Sequence, residues 1–264
     1  MAGPTSVPAF IGVTMPVVFV HGVPETAAIW EPLRHELART DVVRLSPPGF
    51  GAAVPDGFGA TADDYLRWLV AELEAIDGPI DLVGHDWGGC HVQRVAATRP
   101  DLIRSWCNDV AGCTDPDYVW HDLAQTWQTP GAGEAAIEQM FGGPAEDLAA
   151  GLVAAGMTTA AAEATANADG AEMGRCILAL YRSATDLPAF DWGTGLPQEQ
   201  RRPGLVINAT EDQYVGGPEF AHRAAERFDA REVVLDGLGH WWMMQDPKRG
   251  AAALNDFYAD LDNR

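Results

Sequence analysis

Six short apolar runs recur along the chain, at Pro16 to Val20, Asp41 to Leu45, Ile80 to Val83, Ile103 to Asp109, Pro203 to Ala209 and Arg231 to Leu235. The first, Pro16-Val17-Val18-Phe19-Val20, is continuous and β-branched, as a strand buried on both faces of a parallel sheet requires. Between the runs the apolar positions fall at helical spacing. Thr26 to Leu37 carries Ile29, Trp30, Leu33 and Leu37 on one stripe, and Thr61 to Ile76 carries Tyr65, Leu66, Leu69, Val70 and Leu73, with Thr61 as N-cap. Cys90 to Arg99, Pro218 to Phe228 and Pro247 to Leu261 read as further helices. Strands alternating with helices predict an α/β chain with a doubly wound, mostly parallel sheet.

The pattern changes in the middle. From about Cys113 to Asp191 strand signals vanish, and alanine-rich helical sequence is broken at Thr129-Pro130-Gly131, Gly142-Gly143-Pro144 and Gly156. This predicts a helical cap at 113–191 inserted into a core made of 1–112 and 192–264. Its large apolar residues Trp120, Trp127, Met140, Phe141 and Met157 are expected to pack. No internal repeat is visible.

Composition narrows the partners. With 38 acidic against 17 basic residues the formal charge is −21, which argues against nucleic acid or an anionic membrane as a partner. The acidity itself reads as solubility. Cys90, Cys107, Cys113 and Cys176 have no paired spacing and are expected as small buried hydrophobes in a reducing compartment. Met1 to Thr14 shows no basic, cleavable leader and no later run is long enough to span a bilayer, so a cytoplasmic location is expected, with a homodimer left open.

The candidate chemistry gathers at Asp81-Leu82-Val83-Gly84-His85-Asp86-Trp87-Gly88-Gly89-Cys90. A strand runs into a Gly-x-Asp-x-Gly turn and out into a helix, so Asp86 sits at the tip of a tight turn. A carboxylate attacking an acyl carbon gives a labile anhydride; its natural target is an sp³ carbon with a leaving group, and the product is an alkyl ester. Hydrolysing that ester calls for a general base and for N–H donors around the oxyanion. In chain order, Asp86, Asp212 and His240 supply nucleophile, acid and base, with Asp109 as the rival acid. His85 must leave the turn in another direction and is expected to be structural.

The whole chain resembles the epoxide hydrolases of the α/β-hydrolase superfamily and, more loosely, haloalkane dehalogenases. The resemblance rests on His21-Gly22-Val23-Pro24-Glu25, Gly84-His85-Asp86-Trp87-Gly88-Gly89 and Gly239-His240-Trp241, together with the loop Ser46-Pro47-Pro48-Gly49-Phe50-Gly51. It implies an α/β-hydrolase fold, with one leading strand of the usual sheet expected to be missing. It also implies an oxyanion hole from the Val23 and Trp87 N–H groups, and no cofactor or metal. Leu178-Ala179-Leu180-Tyr181-Arg182 looks like the cap segment whose tyrosine donates to the epoxide oxygen, which makes Tyr181 the candidate electrophile. The segment His121 to Gly131, similar to the one carrying a second such tyrosine, has none; Tyr118, Trp127 or His121 is left to substitute.

The expected activity is hydrolysis of a small to medium apolar epoxide to a diol through an ester on Asp86. A haloalkane dehalogenase, with Trp87 and Trp120 or Trp127 holding the halide, is the alternative. A ligand-binding protein that keeps the fold without catalysis is the third reading, weakened because every catalytic position is filled.

Overall fold

The computed structural model describes residues 15–263. The segment Met1 to Thr14, read above as lacking a leader, lies outside the described residues. Strands β1 (Val17–Val20), β2 (Val42–Leu45), β3 (Ile80–Gly84), β4 (Ile103–Asn108), β5 (Gly204–Ala209) and β6 (Arg231–Leu235) form a six-stranded sheet in the order β2-β1-β3-β4-β5-β6. Every neighbouring pair is parallel. The sequence reading allowed for an antiparallel member, and among the described residues there is none. Together with its inserted helices this is the α/β-hydrolase fold.

Helices α1 (Glu31–Glu36), α2 (Ala62–Glu74) and α3 (Trp87–Thr98) precede β4. The stretch 26–37 is not one helix: Ala27–Trp30 is a 3₁₀ turn that hands over to α1, where Pro32 sits in the first turn. Pro32 has no N–H to return to the Ala28 carbonyl, and Glu31 N–H takes that carbonyl instead, so an unbroken α ladder is unavailable. Thr61 does cap α2, in a reciprocal box with Asp64. Helix α3 starts at Trp87, three residues before the expected Cys90, because the turn at Asp86 enters the helix directly.

Between β4 and β5 the chain builds α4 (Asp122–Gln128), α5 (Ala132–Phe141), α6 (Ala145–Ala154), α7 (Thr159–Ala166) and α8 (Gly170–Arg182). The core closes with α9 (Pro218–Phe228), α10 (Trp242–Gln245) and α11 (Pro247–Asp262). The short α10 had no separate signal in the sequence.

Strand periodicity divides the core into two layers. Val18 and Val20 face a cluster with Tyr65, Leu69, Val92 and Val95 of α2 and α3, whereas Val17 and Phe19 face one with Leu33, Trp242 and Leu254 of α1, α10 and α11. Burying both faces is what the unbroken apolar run demanded. Asp81 lies fully buried within β3, held by the Arg104 guanidinium at 2.8 and 2.6 Å and by Ser105 at 2.6 Å. Strand order reverses at β1, whose neighbours are β2 on one side and β3 on the other, and the crevice of such a sheet opens beyond the C-terminal ends of these strands. Val20 pairs with Gly84, so the loop after β1 and the turn after β3 lie side by side there.

No described helix is long and apolar enough to cross a membrane. All four cysteines are free and buried, and the fold brings Cys90 and Cys113 to an Sγ–Sγ distance of 3.0 Å, a proximity their spacing did not suggest.

Candidate active site

The turn at Asp86 is tight enough to exclude a side chain at Gly84, where a Cβ would lie 2.5 Å from the Gly88 carbonyl oxygen. Asp86 itself takes φ 51° and ψ −128°, a conformation an L residue adopts only under compulsion from its surroundings. Gly22, on the neighbouring loop, has its missing Cβ replaced by the Asp86 side chain. That close approach lets the Val23 N–H donate to Asp86 Oδ1 at 2.9 Å. The Trp87 N–H opens α3 and has no acceptor within the helix, as at any helix start.

The second carboxylate oxygen, Oδ2, lies 4.0 Å from His240 Nε2, too far for a hydrogen bond. His240 Nδ1–H donates to Asp212 Oδ2 at 2.8 Å, which leaves the Nε2 lone pair directed at the Asp86 side. Asp212 Oδ1 accepts the Tyr214 N–H at 2.9 Å, so the acid is oriented at both oxygens. Burial works against a charged His240, but the Asp212 carboxylate more than compensates and holds its pKa above the ordinary value. Burial pushes the Asp86 carboxyl up to about 6, with His240 opposing and Glu25 adding to the rise.

Asp109, the rival acid, is committed elsewhere. Its Oδ1 accepts the Asp86 N–H at 3.1 Å, and its Oδ2 accepts from His85 Nδ1 at 2.5 Å and from the Trp242 indole at 2.6 Å. The other His85 nitrogen, Nε2, donates to Glu25 Oε1 at 3.0 Å, and that oxygen also accepts from the Trp241 indole at 2.5 Å. Glu25 Oε2 takes the Gly22 N–H at 3.0 Å. Burial disfavours an imidazolium at His85, yet Asp109 and Glu25 on either side raise its pKa well above 6.5, so both ring nitrogens carry protons. Glu25, His85 and His240 also offer metal-ligand atoms within 4.8 Å of one another. The Glu25 and His85 atoms are already spent on each other, on Trp241 and Gly22, and on Asp109, which makes the cluster a hydrogen-bonded platform under the turn.

Neither Glu25 nor Trp242 has a role that the sequence alone assigns. Their signal was faint: an acid inside the first motif, and a tryptophan after the last. Tyr214 was missed altogether, because a loop residue two positions past Asp212 carries no pattern.

Over Asp86 lies an apolar cavity of about 120 Å³, bounded by Trp127, Met140 and Leu152 and reached by His240. A recess of about 20 Å³ continues it toward Cys90, Cys113 and Trp120, and Asp86, His121, Tyr181 and Tyr214 border both. A larger surface groove of about 670 Å³ between residues 49–58 and α8 includes none of these groups.

Tyr181 comes from α8 and is packed among Trp87, Trp120 and Trp127, at ring separations of 5.4, 5.3 and 4.8 Å. Burial and the nearby Asp86 charge raise its pKa well above 10, so the phenol keeps its proton. Two other expected donors are not free. Tyr118 gives its hydroxyl to the Tyr214 carbonyl at 2.8 Å, and Trp120 gives its indole N–H to the Ala184 carbonyl at 3.1 Å. Both rings still line the recess. The indole N–H groups of Trp87 and Trp127 have no hydrogen-bond partner, but they are buried.

With fold and site described, the class is settled: a model of the alpha/beta hydrolase family matches residues 17–253, and the chain belongs to that family. Relatives within it are diverse. Over 91 residues the chain is 31% identical to the (E)-2-((N-methylformamido)methylene)succinate hydrolase of Acinetobacter baylyi, covering 34% of this chain and 35% of that protein. Over 113 residues it is 34% identical to Epoxide hydrolase 2 of Siraitia grosvenorii, covering 38% and 33%. The chain thus matches about a third of the length of these curated relatives. The crystal structure of the haloalkane dehalogenase DbeA from Bradyrhizobium elkani has a TM-score of 0.72 at 19% identity, covering 94% of this chain and 91% of that one, a likeness of fold.

Proposed function

We infer that this hydrolase opens small apolar epoxides to vicinal diols, using its own side chains and water, with the segment 113–191 as a cap over the site. The observation that carries the reading is the pairing, on one apolar cavity of about 120 Å³, of the Asp86 carboxylate with a tyrosine that keeps its proton. An engineered cavity of about 150 Å³ holds benzene, so the occupant is small.

Asp86 Oδ1 is held by Val23, so Oδ2 is the attacking atom. It bonds to a ring carbon from the rear as the C–O bond breaks, and the Tyr181 hydroxyl donates to the departing oxygen. The product is an alcohol esterified to Asp86. His240, oriented by Asp212, then removes a proton from water as its oxygen adds to Cγ of the ester. Charge gathers on Oδ1 between the Val23 and Trp87 N–H groups. Collapse expels the diol through Oδ2 and leaves one oxygen of the water on Asp86.

A specific observation favours a second reading, haloalkane dehalogenation: the Trp87 and Trp127 indole N–H groups flank Tyr181 and lack partners. Against it, neither N–H is open to the cavity, and Trp120 has spent its own. The test is a product screen of the purified protein on mixed epoxides and haloalkanes, with diol and halide both measured. Diol without halide supports the epoxide reading, halide without diol replaces it, and neither product removes both.

A further inference from the structure

Asp212 stands in an irregular loop, 210–217, that joins β5 to α9, and the two halves of the loop are held differently. The Glu211 N–H donates to the Leu238 carbonyl at 2.8 Å and the Asp212 N–H to the Ala209 carbonyl at 3.1 Å, which ties the first half to the core. Among the described residues, no main-chain to main-chain hydrogen bond reaches 213–216. Tyr214 is fixed instead by one side chain on either side of its Cα. Its N–H donates to Asp212 Oδ1 at 2.9 Å, and its carbonyl accepts the Tyr118 hydroxyl at 2.8 Å. The other Asp212 oxygen holds His240 Nδ1.

Tyr118 is built to serve as an anchor, because the stretch 111–118 that carries it from β4 toward α4 is itself tied down. Buried Asp115 Oδ2 accepts from Arg223 Nε at 2.9 Å and from Arg227 Nη2 at 2.8 Å, both on α9, and Arg227 Nη1 donates to the Thr114 carbonyl at 2.8 Å. The Tyr118 N–H donates to the Asp115 carbonyl at 3.1 Å. At Gly112 a Cβ would lie 2.6 Å from the Val215 carbonyl oxygen, so this stretch runs directly against the loop. The Tyr118 ring meets Trp120 and Phe220 edge-on at 5.6 and 6.2 Å. Burial raises the pKa of its phenol, so the hydroxyl keeps its proton and remains a donor.

We propose that Tyr118 is a positioning residue for the general base: its hydroxyl pins Tyr214, Tyr214 orients Asp212, and Asp212 orients His240. Tyr118 itself touches no reacting atom. Released from Tyr118, the loop from 213 to 216 has only Asp212 to hold it, and Asp212 then moves with the loop rather than staying aligned on Nδ1. The kinetic consequence rests on the ester mechanism proposed above, because His240 acts only when the ester is hydrolysed. The state of His240 itself can be read without any substrate. Its ring is faced by Asp212 and Asp86, by His85 and Glu25 of the platform, and by His121. Of these, only Asp212 is reached by the chain of bonds from Tyr118.

The test uses Tyr118→Phe in the full-length protein, which keeps the ring and its contacts and removes one hydroxyl. Histidine-labelled protein is titrated by NMR, with the His240 signal assigned by its loss in His240→Gln. The His240 pKa should fall by up to about one pH unit, the worth of one neutral hydrogen bond, and should not fall further when Tyr118→Phe is added to Asp212→Asn. In single turnovers of 1,2-epoxyhexane followed by quenched intact mass, hydrolysis of the Asp86 ester should slow about 3- to 10-fold while its formation keeps its rate. That slowing too should vanish in the Asp212→Asn background. An unchanged His240 pKa with unchanged ester hydrolysis overturns the inference while diol formation by the parent keeps the epoxide reading. Equal slowing of both steps with a lower melting temperature and an unchanged His240 pKa makes Tyr118 a packing residue only, and overturns it as well. If the parent forms neither ester nor diol, the epoxide reading has failed, and the titration alone decides: a lowered His240 pKa upholds the positioning role and an unchanged one removes it.

Discussion

Asp109 Oδ2 lies 2.5 Å from His85 Nδ1, and this contact decides which carboxylate is left to serve His240. Two strand ends deliver acids to the same crevice, and Asp109 is consumed by the platform beneath the turn. Of the two acids, only Asp212 is bonded to His240.

The two acids should therefore fail differently. Asp212→Asn is expected to slow ester hydrolysis by about 10²–10⁴, the contribution of a positioned general base, with little effect on folding. Asp109→Asn leaves an imidazolium with one carboxylate fewer in a fully buried site and should cost about 3–5 kcal/mol of stability. Chemical denaturation and single-turnover kinetics on both variants separate the two outcomes. A stable Asp109→Asn protein with slow ester hydrolysis would reverse the assignment.

Replacing the base should stop the cycle halfway. His240→Gln leaves Asp86 able to attack and nothing to activate water, so intact mass rises by one substrate equivalent on the peptide holding Asp86. In H₂¹⁸O, one turnover of the unmodified protein should place the label on Asp86 and not in the diol, since Oδ2 is the atom carried away. Label in the first diol released would mean that water attacks the ring directly.

Tyr181→Phe removes the proton donor and keeps the ring that packs against three tryptophans. Ester formation should fall by about 10²–10⁴ with substrate binding nearly unchanged. Near-normal diol production by this variant would assign the donor elsewhere.

Activity should rise with pH in two stages. Ring opening needs Asp86 ionised and follows its pKa of about 6. Ester hydrolysis needs His240 neutral, and its pKa lies above 6.5, held there against burial by Asp212. Ester should accordingly accumulate on the acid side of neutrality, visible by quenched mass spectrometry, and disappear at higher pH. No loss from Tyr181 is expected until well above pH 10.

Stability should move the opposite way because of His85. Its pKa is raised on folding, so its protonated form contributes fully below the unfolded value of about 6.5 and the contribution fades as pH climbs through the folded value. Denaturation midpoints measured from pH 6 to 9 should fall more steeply for the unmodified protein than for His85→Gln. The same slope in both would show that His85 is neutral in the folded chain.

Much of this molecule is legible along the chain because it depends on neighbours in sequence. All six strands, the parallel α/β order and the helical insertion follow from short continuous apolar runs and from the 3.6-residue period between them, both set by neighbours along the chain. The turn at Asp86 follows from its glycines, and the order Asp86, Asp212, His240 from the succession of strand ends. Commitments between distant groups are another matter. That Asp109 belongs to His85, that Tyr118 and Trp120 have spent their hydrogens, and that His121 caps one helix while facing the cavity all depend on pairs brought together by folding. A side chain has only a few hydrogen-bonding sites, and burial forces each to be used. Which partner uses them is set by three-dimensional proximity, and no local pattern records it.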